Sequence, residues 1–163
     1  MGIFDFFKSG KKETSKTTSE NHAPERLAGV GDTPLNARFT PDYITTLGPD
    51  DIFVFGSNLA GAHAGGAARI AHKRFGAIWG RGEGLQGNTY AIPTMQGGVN
   101  TIRPYVDTFI EFARQHPELT FYVTRIGCGI AGFTSAQIAP LFRDTLSLPN
   151  VILPRDFAAL LKS

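Results

Sequence analysis

The stretch DIFVFGSNLAGAHAGGAARIAHKRFG, residues 51–76, decides how the chain is read. Its apolar run Ile52–Phe55 has no alternation, which predicts a strand over 51–57 buried on both faces. The chain leaves that strand through Gly56-Ser57-Asn58, passes Gly61, and enters a helix over 65–75 on the pair Gly65-Gly66. A connection that only reverses direction needs about half that length. Glycine at such an exit lets the main chain lie close to a ligand.

Further along, the same strand–loop–helix grammar recurs. Thr120–Arg125 predicts a strand, Gly127–Gly132 a second glycine-rich loop, and a helix follows from about residue 135. Thr134 with Gln137 reads as a capping box for that helix, which Pro140 interrupts. Between the two units lie a mobile glycine loop over 79–88, a strand over 89–94 and a helix over 103–115. Pro104 suits the first turn of that helix, and Val106, Phe109, Ile110 and Ala113 form its apolar face. Val151–Leu153 predicts a last short strand and 156–162 a terminal helix. Strands alternating with helices predict an α/β fold, and in open sheets of that class ligands sit at the carboxyl ends of the strands.

Composition sets the outer bounds. A chain of 163 residues with 42% hydrophobic content suits one domain, expected over 27–163, behind a tail over 1–26. The tail starts MGIFDFFK and continues as a polar run with the composition of a disordered linker. Residues 1–8 read either as an amphipathic anchor for a membrane surface or protein groove, or as a terminus that docks on the domain. Phe6 excludes the myristoylation pattern. A net charge of +2 without a basic stripe argues against a duplex nucleic-acid partner. The single cysteine and four unpaired histidines offer no disulfide and no metal set. With neither signal architecture nor a long apolar stretch, a cytoplasmic setting is expected.

The two loops suggest a chemistry. Glycines leave main-chain N–H groups facing inward, and a following helix start adds roughly half a positive charge. Two such loops suit a ligand with two phosphates. The sequence has no GxxxxGK[ST], no GxSxG, and no GxGxxG that both directly follows a strand and has an acid about 20 residues on. Hydrolysis of the Walker type, dinucleotide-dependent dehydrogenation and the serine-hydrolase elbow are therefore disfavoured.

Taken together, these residues resemble the macrodomain, the ADP-ribose-binding α/β module. Asp51-Ile-Phe-Val-Phe-Gly-Ser-Asn58 is similar to its first strand and Asn-Ala-Ala-Asn segment. Gly65-Gly66-Ala-Ala-Arg-Ile-Ala-His72-Lys-Arg-Phe-Gly76 is similar to its glycine loop and helix. Gly127-Cys-Gly129-Ile-Ala-Gly132-Phe133 is similar to its later Ser-Thr-Gly-Val-Phe-Gly-Tyr loop, and Thr89–Thr94 falls where the family has its central strand. The set of local sequences resembles a group of bacterial and phage proteins still more closely. The macrodomain supplies the functional inference, over about residues 42–145.

The resemblance implies a three-layer α/β/α sandwich with a mixed, mostly parallel sheet, and an ADP-ribose-like small molecule or ADP-ribosylated macromolecule as partner, with no cofactor. It implies that Gly61, Gly65 and Gly66, with Gly56 and Ser57 before them, wrap the diphosphate together with Gly127, Cys128, Gly129, Ile130, Ala131 and Gly132. Asn58 would bond the distal ribose, Phe133 would pack beside it, and Asp42, or else Asp51, would meet the adenine. The carboxylate that one hydrolytic class uses near the ribose is replaced here by Ala68. Removal of ADP-ribose would then need another group, for which Asn58, His63 and Glu83 are the candidates, and this tilts the reading toward binding. The alternatives are hydrolysis of another nucleotide metabolite through His63 or Glu83, or a non-enzymatic interaction protein.

Other residues carry two readings. Cys128 is either a thiol activated at a helix start or a small packed residue. Asn58 is either a ligand contact or a turn residue, and His63 either a base or a solvated loop side chain. Trp79 is either a lid over a base or a core anchor; Arg81 and Arg125 either approach phosphates or sit on the surface.

Overall fold

Five strands, four of them separated by helices, stand in the computed structural model, which describes residues 27–162. The expected tail over 1–26 lies outside the described residues. The strands are β1 (Asp51–Ser57), β2 (Gly84–Gln86), β3 (Thr89–Pro93), β4 (Thr120–Val123) and β5 (Val151–Ile152). Helix α1 (Gly66–Ile70) continues as a π turn over Ala71–Phe75, and α2 spans Val99–Gln115. Helix α3 (Ser135–Ile138) continues as a 3₁₀ segment over Ala139–Ser147, and α4 spans Arg155–Lys162.

The sheet order is β2-β3-β1-β4-β5. β1 runs parallel to both β3 and β4, β4 runs parallel to β5, and only β2 is antiparallel. The centre of the sheet is therefore β1, with Thr89–Pro93 beside it. Val54 stands between Tyr90 and Val123 in register, so one row of side chains crosses three strands.

The unbroken apolar run of β1 reflects burial on both faces. Ile52 and Val54 pack with Ile102, Val106 and Phe109 of α2, Phe142 of the 3₁₀ segment and Phe157 of α4. Phe53 and Phe55 pack on the other side with Ala68, Ala71 and Phe75 of the first helix, and with Ile44 and Leu47. The sheet is thus an interior layer of a mixed, mostly parallel α/β sandwich.

Two local expectations change. The glycine loop over 79–88 contains β2, paired to β3 across a two-residue turn, with Gln86 opposite Thr89. Gly87 takes φ +59 at the first turn position, where a side chain would be strained. Buried Gln86 organises the approach: its Oε1 accepts from the Ile78 amide at 2.6 Å and its Nε2 donates to the Arg81 carbonyl at 3.1 Å. Helix α2 begins at Val99 rather than 103, because the fully buried Ile102 extends the apolar stripe by one turn. Pro104 then sits just past the first turn, where its missing N–H removes a single bond to Asn100. The capping box forms as its spacing requires: the Gln137 amide donates to Thr134 Oγ1 at 3.2 Å, and the Thr134 amide donates to Gln137 Oε1 at 2.9 Å. Pro140 falls where α helix gives way to 3₁₀.

Candidate functional site

The connection after β1 passes to the face covered by α1, while those after β3 and β4 pass to the face covered by α2 and α3. Neighbouring strands whose exits diverge leave a crevice at their carboxyl ends. A cleft of about 1140 Å³ opens there.

Both glycine loops line it. From the first come Gly56, Ser57, Asn58, Gly65 and Gly66; from the second come Gly127, Cys128, Gly129, Ile130 and Ala131. The loops touch: a Cβ placed on Gly65 would stand 3.3 Å from Ile130 Cδ1. At their roots, a Cβ on Gly56 would stand 3.3 Å from the Gly127 amide nitrogen and 3.2 Å from Thr94 Oγ1. Among the described residues, the N–H groups of Gly129, Ile130 and Ala131 have no backbone acceptor. Gly129 also faces open space, with nothing within 4 Å of a Cβ placed there.

The third wall comes from the segment before β1. The Thr40 amide donates to the Leu153 carbonyl at 2.9 Å, and Thr40 bridges Pro154 beside β5. This tie carries Asp42 and Tyr43 to the cleft. Tyr43 is 88% exposed, Ile130 77% and Met95 46%, and all three line the cleft as large, largely apolar side chains. Tyr43, Met95, Thr94 and Arg74 are cleft residues that pattern reading missed. Tyr43 adjoins the candidate Asp42, but nothing local marks Met95 or Arg74, which arrive through β3 and the first helix.

Several predicted site residues lie elsewhere. Asp51 stands at the opposite end of β1, buried, accepting from the Leu35 and Gly48 amides at 2.7 Å each. It holds a turn. Gly61 does not line the cleft; a Cβ there would be 2.3 Å from the Arg81 amide nitrogen, so its place is against another stretch of backbone. Gly132 and Phe133 also stand outside the lining, Phe133 packing on the core below the loop.

His63 is neither a solvated loop residue nor a group facing the cleft. It is buried beneath the first loop, with Nε2 2.9 Å from the Ile78 carbonyl and 3.0 Å from that of Arg81. Two acceptors at one nitrogen require that nitrogen to carry the proton. The other, Nδ1, is buried without a hydrogen-bond partner, and the ring packs among Phe55, His72 and Trp79. His72 donates from Nδ1 to the Ala77 carbonyl at 2.8 Å, and Trp79 stacks edge-on against both histidines. Trp79 is thus an anchor for this ring cluster and does not line the cleft. Glu83 is exposed beside the β2 edge, away from the cleft. Its charge adds to burial, the larger cause, in pushing the Tyr90 phenol up to about 12.

Asn58 lines the cleft, but its side chain closes its own loop. Its Nδ2 donates to the Ala62 carbonyl at 3.1 Å and its Oδ1 accepts the Ala62 amide at 3.0 Å. Ser57 is buried and donates to the Gly82 carbonyl. Cys128 is half-buried, and that burial raises its thiol above the ordinary value. A hydrogen bond with Ser135 and the charge of Arg125 pull the other way without overcoming burial, so the activated-thiol reading gives way to the packed one. Among the described residues, the charged groups lining the cleft are Asp42, Arg74 and Arg125, and no group of three or more His, Cys, Asp or Glu residues is placed to hold a metal. No described helix is long and apolar enough to cross a membrane.

In comparisons with protein-family models, curated proteins and solved structures, nothing matches this chain.

Proposed function

We propose that the protein binds ADP-ribose or a related NAD-derived nucleotide diphosphate in the cleft between the two glycine loops. The observation that carries this reading is the meeting of those loops, 70 positions apart from Asn58 to Cys128, across a single crevice at the carboxyl ends of adjacent parallel strands. Main-chain amides without internal acceptors suit phosphate oxygens, which take several N–H bonds at once. Asp42 supplies an acceptor for an exocyclic amine, and the exposed Tyr43 ring supplies a face for a base.

Binding is the part of the reading that the cleft supports. His63 and Glu83 line none of it, so neither stands within reach of a ligand held between the loops. Calorimetry with ADP-ribose, ADP, NAD and inorganic phosphate tests the proposal. ADP-ribose and ADP are expected to bind and phosphate alone to bind far more weakly; no heat with any nucleotide would refute it.

A further inference from the structure

The cleft holds one cation whose placement the glycine loops do not explain. Arg125 stands two residues after the end of β4 and two before Gly127, and lines the cleft. Its Nε lies 3.1 Å from Asp156 Oδ2, and its Nη2 donates to Ser135 Oγ at 3.4 Å. Ser135 in turn donates to the same Asp156 oxygen at 2.6 Å. These partners stand in the first turns of α3 and α4, which pack on each other. One edge of the guanidinium is therefore held from behind by two helices. Its remaining N–H groups have no hydrogen-bond partner among the described residues, and the side chain is 58% exposed.

Stability does not account for this arrangement, since an exposed ion pair contributes at most about 1 kcal/mol. Arg74, the other cation of the cleft, is different: its Nε and Nη2 both donate to the Thr45 carbonyl, which ties it to the far wall. A guanidinium is a rigid fork that matches phosphate oxygens two at a time, and one fixed beforehand loses little freedom on binding. Asp156, 39% exposed beside it, would otherwise repel an anion.

Resting on the nucleotide reading above, we infer that Arg125 is a phosphate-binding residue of the cleft, positioned by Asp156 and Ser135. The ligand class is accordingly phosphate-bearing nucleotides, selected by a charged fork as well as by main-chain amides.

The test compares wild type, Arg125→Gln and Arg125→Lys by calorimetry with ADP-ribose, ADP and adenosine, each at low and high salt. Arg125→Gln is expected to weaken ADP-ribose and ADP by about 10- to 100-fold. It should leave any adenosine affinity unchanged and flatten the salt dependence, which a purely structural role would not do. Arg125→Lys keeps the charge and the Asp156 pair and should lose several-fold, because an ammonium cannot fork. Wild-type affinity and salt response in Arg125→Gln would overturn the assignment and leave the nucleotide reading standing. If wild type binds no nucleotide, both fall. If Arg125→Gln does not fold, Arg125→Lys decides: unweakened ADP-ribose binding there removes the fork.

Discussion

The two glycine loops are alike in composition, yet Gly61 of the first and Gly129 and Gly132 of the second do opposite things. In the first, the glycine at 61 is absent of side chain because the chain of residues 80–81 lies where a Cβ would be, and the Gly80 amide donates to the Gly61 carbonyl at 2.9 Å. Gly82 repeats this from the other side, its Cβ position 2.1 Å from the Asn58 carbonyl oxygen. In the second loop, Gly129 and Gly132 face nothing within 4 Å. Gly61 makes room for protein to pack on protein, whereas Gly129 and Gly132 keep a space clear, as does Gly66 at the far end of the first loop. A glycine-rich sequence therefore marks close approach without saying what approaches.

The sharpest way to break this contrast is Gly61→Ala. The substitution puts a methyl group 2.3 Å from backbone nitrogen at φ +71. Overpacking and left-handed strain together should cost about 3–5 kcal/mol, seen as a large drop in the denaturation midpoint. A midpoint within error of wild type would mean the two loops do not differ in this way.

The complementary substitution is Gly129→Val. Its side chain enters open space, so the melting temperature should hold within a few degrees while ADP-ribose affinity falls by at least about 100-fold, since a blocked site forfeits its contacts with the ligand. Unchanged affinity would take the second loop out of the binding site. The smallest effect sharpens the contrast at the loop exits. The second loop leads into α3 through the Thr134–Gln137 box, whereas α1 starts at Gly65 with no side-chain cap. Thr134→Ala should cost about 1 kcal/mol in chemical denaturation, and Gly65→Ser should cost no cap that was there to lose.

Much of the fold was legible because burial leaves a trace in local sequence. The strand at 51–57 follows from its unbroken apolar run, and the stripe through Val106 and Ala113 and the Thr134 box follow from spacing. The site was legible in part. Asp42, Asn58, Gly65 and the run Gly127–Ala131 do share one cleft. Asp51 misled because a carboxylate at a strand's start looks the same in sequence whether it meets a ligand or two amides. His63 misled for a related reason: its fate depends on the carbonyls of Ile78 and Arg81, which belong to the approach to a hairpin that the pattern concealed. Glycines over 79–88 suggested a loop, yet three residues there pair with β3, because a short edge strand needs only one partner and a turn.

By itself the sequence determined the strands and helices apart from β2 and the first turn of α2, and that two strands end in glycine-rich exits, since local pattern governs which side chains can be buried together. The order of the sheet, the meeting of the two exits in one cleft, and the choice between packing and clearance at each glycine were decided only in three dimensions. Those features depend on which distant segment crosses over and lies alongside, and residues separated by tens of positions leave no shared local pattern to read.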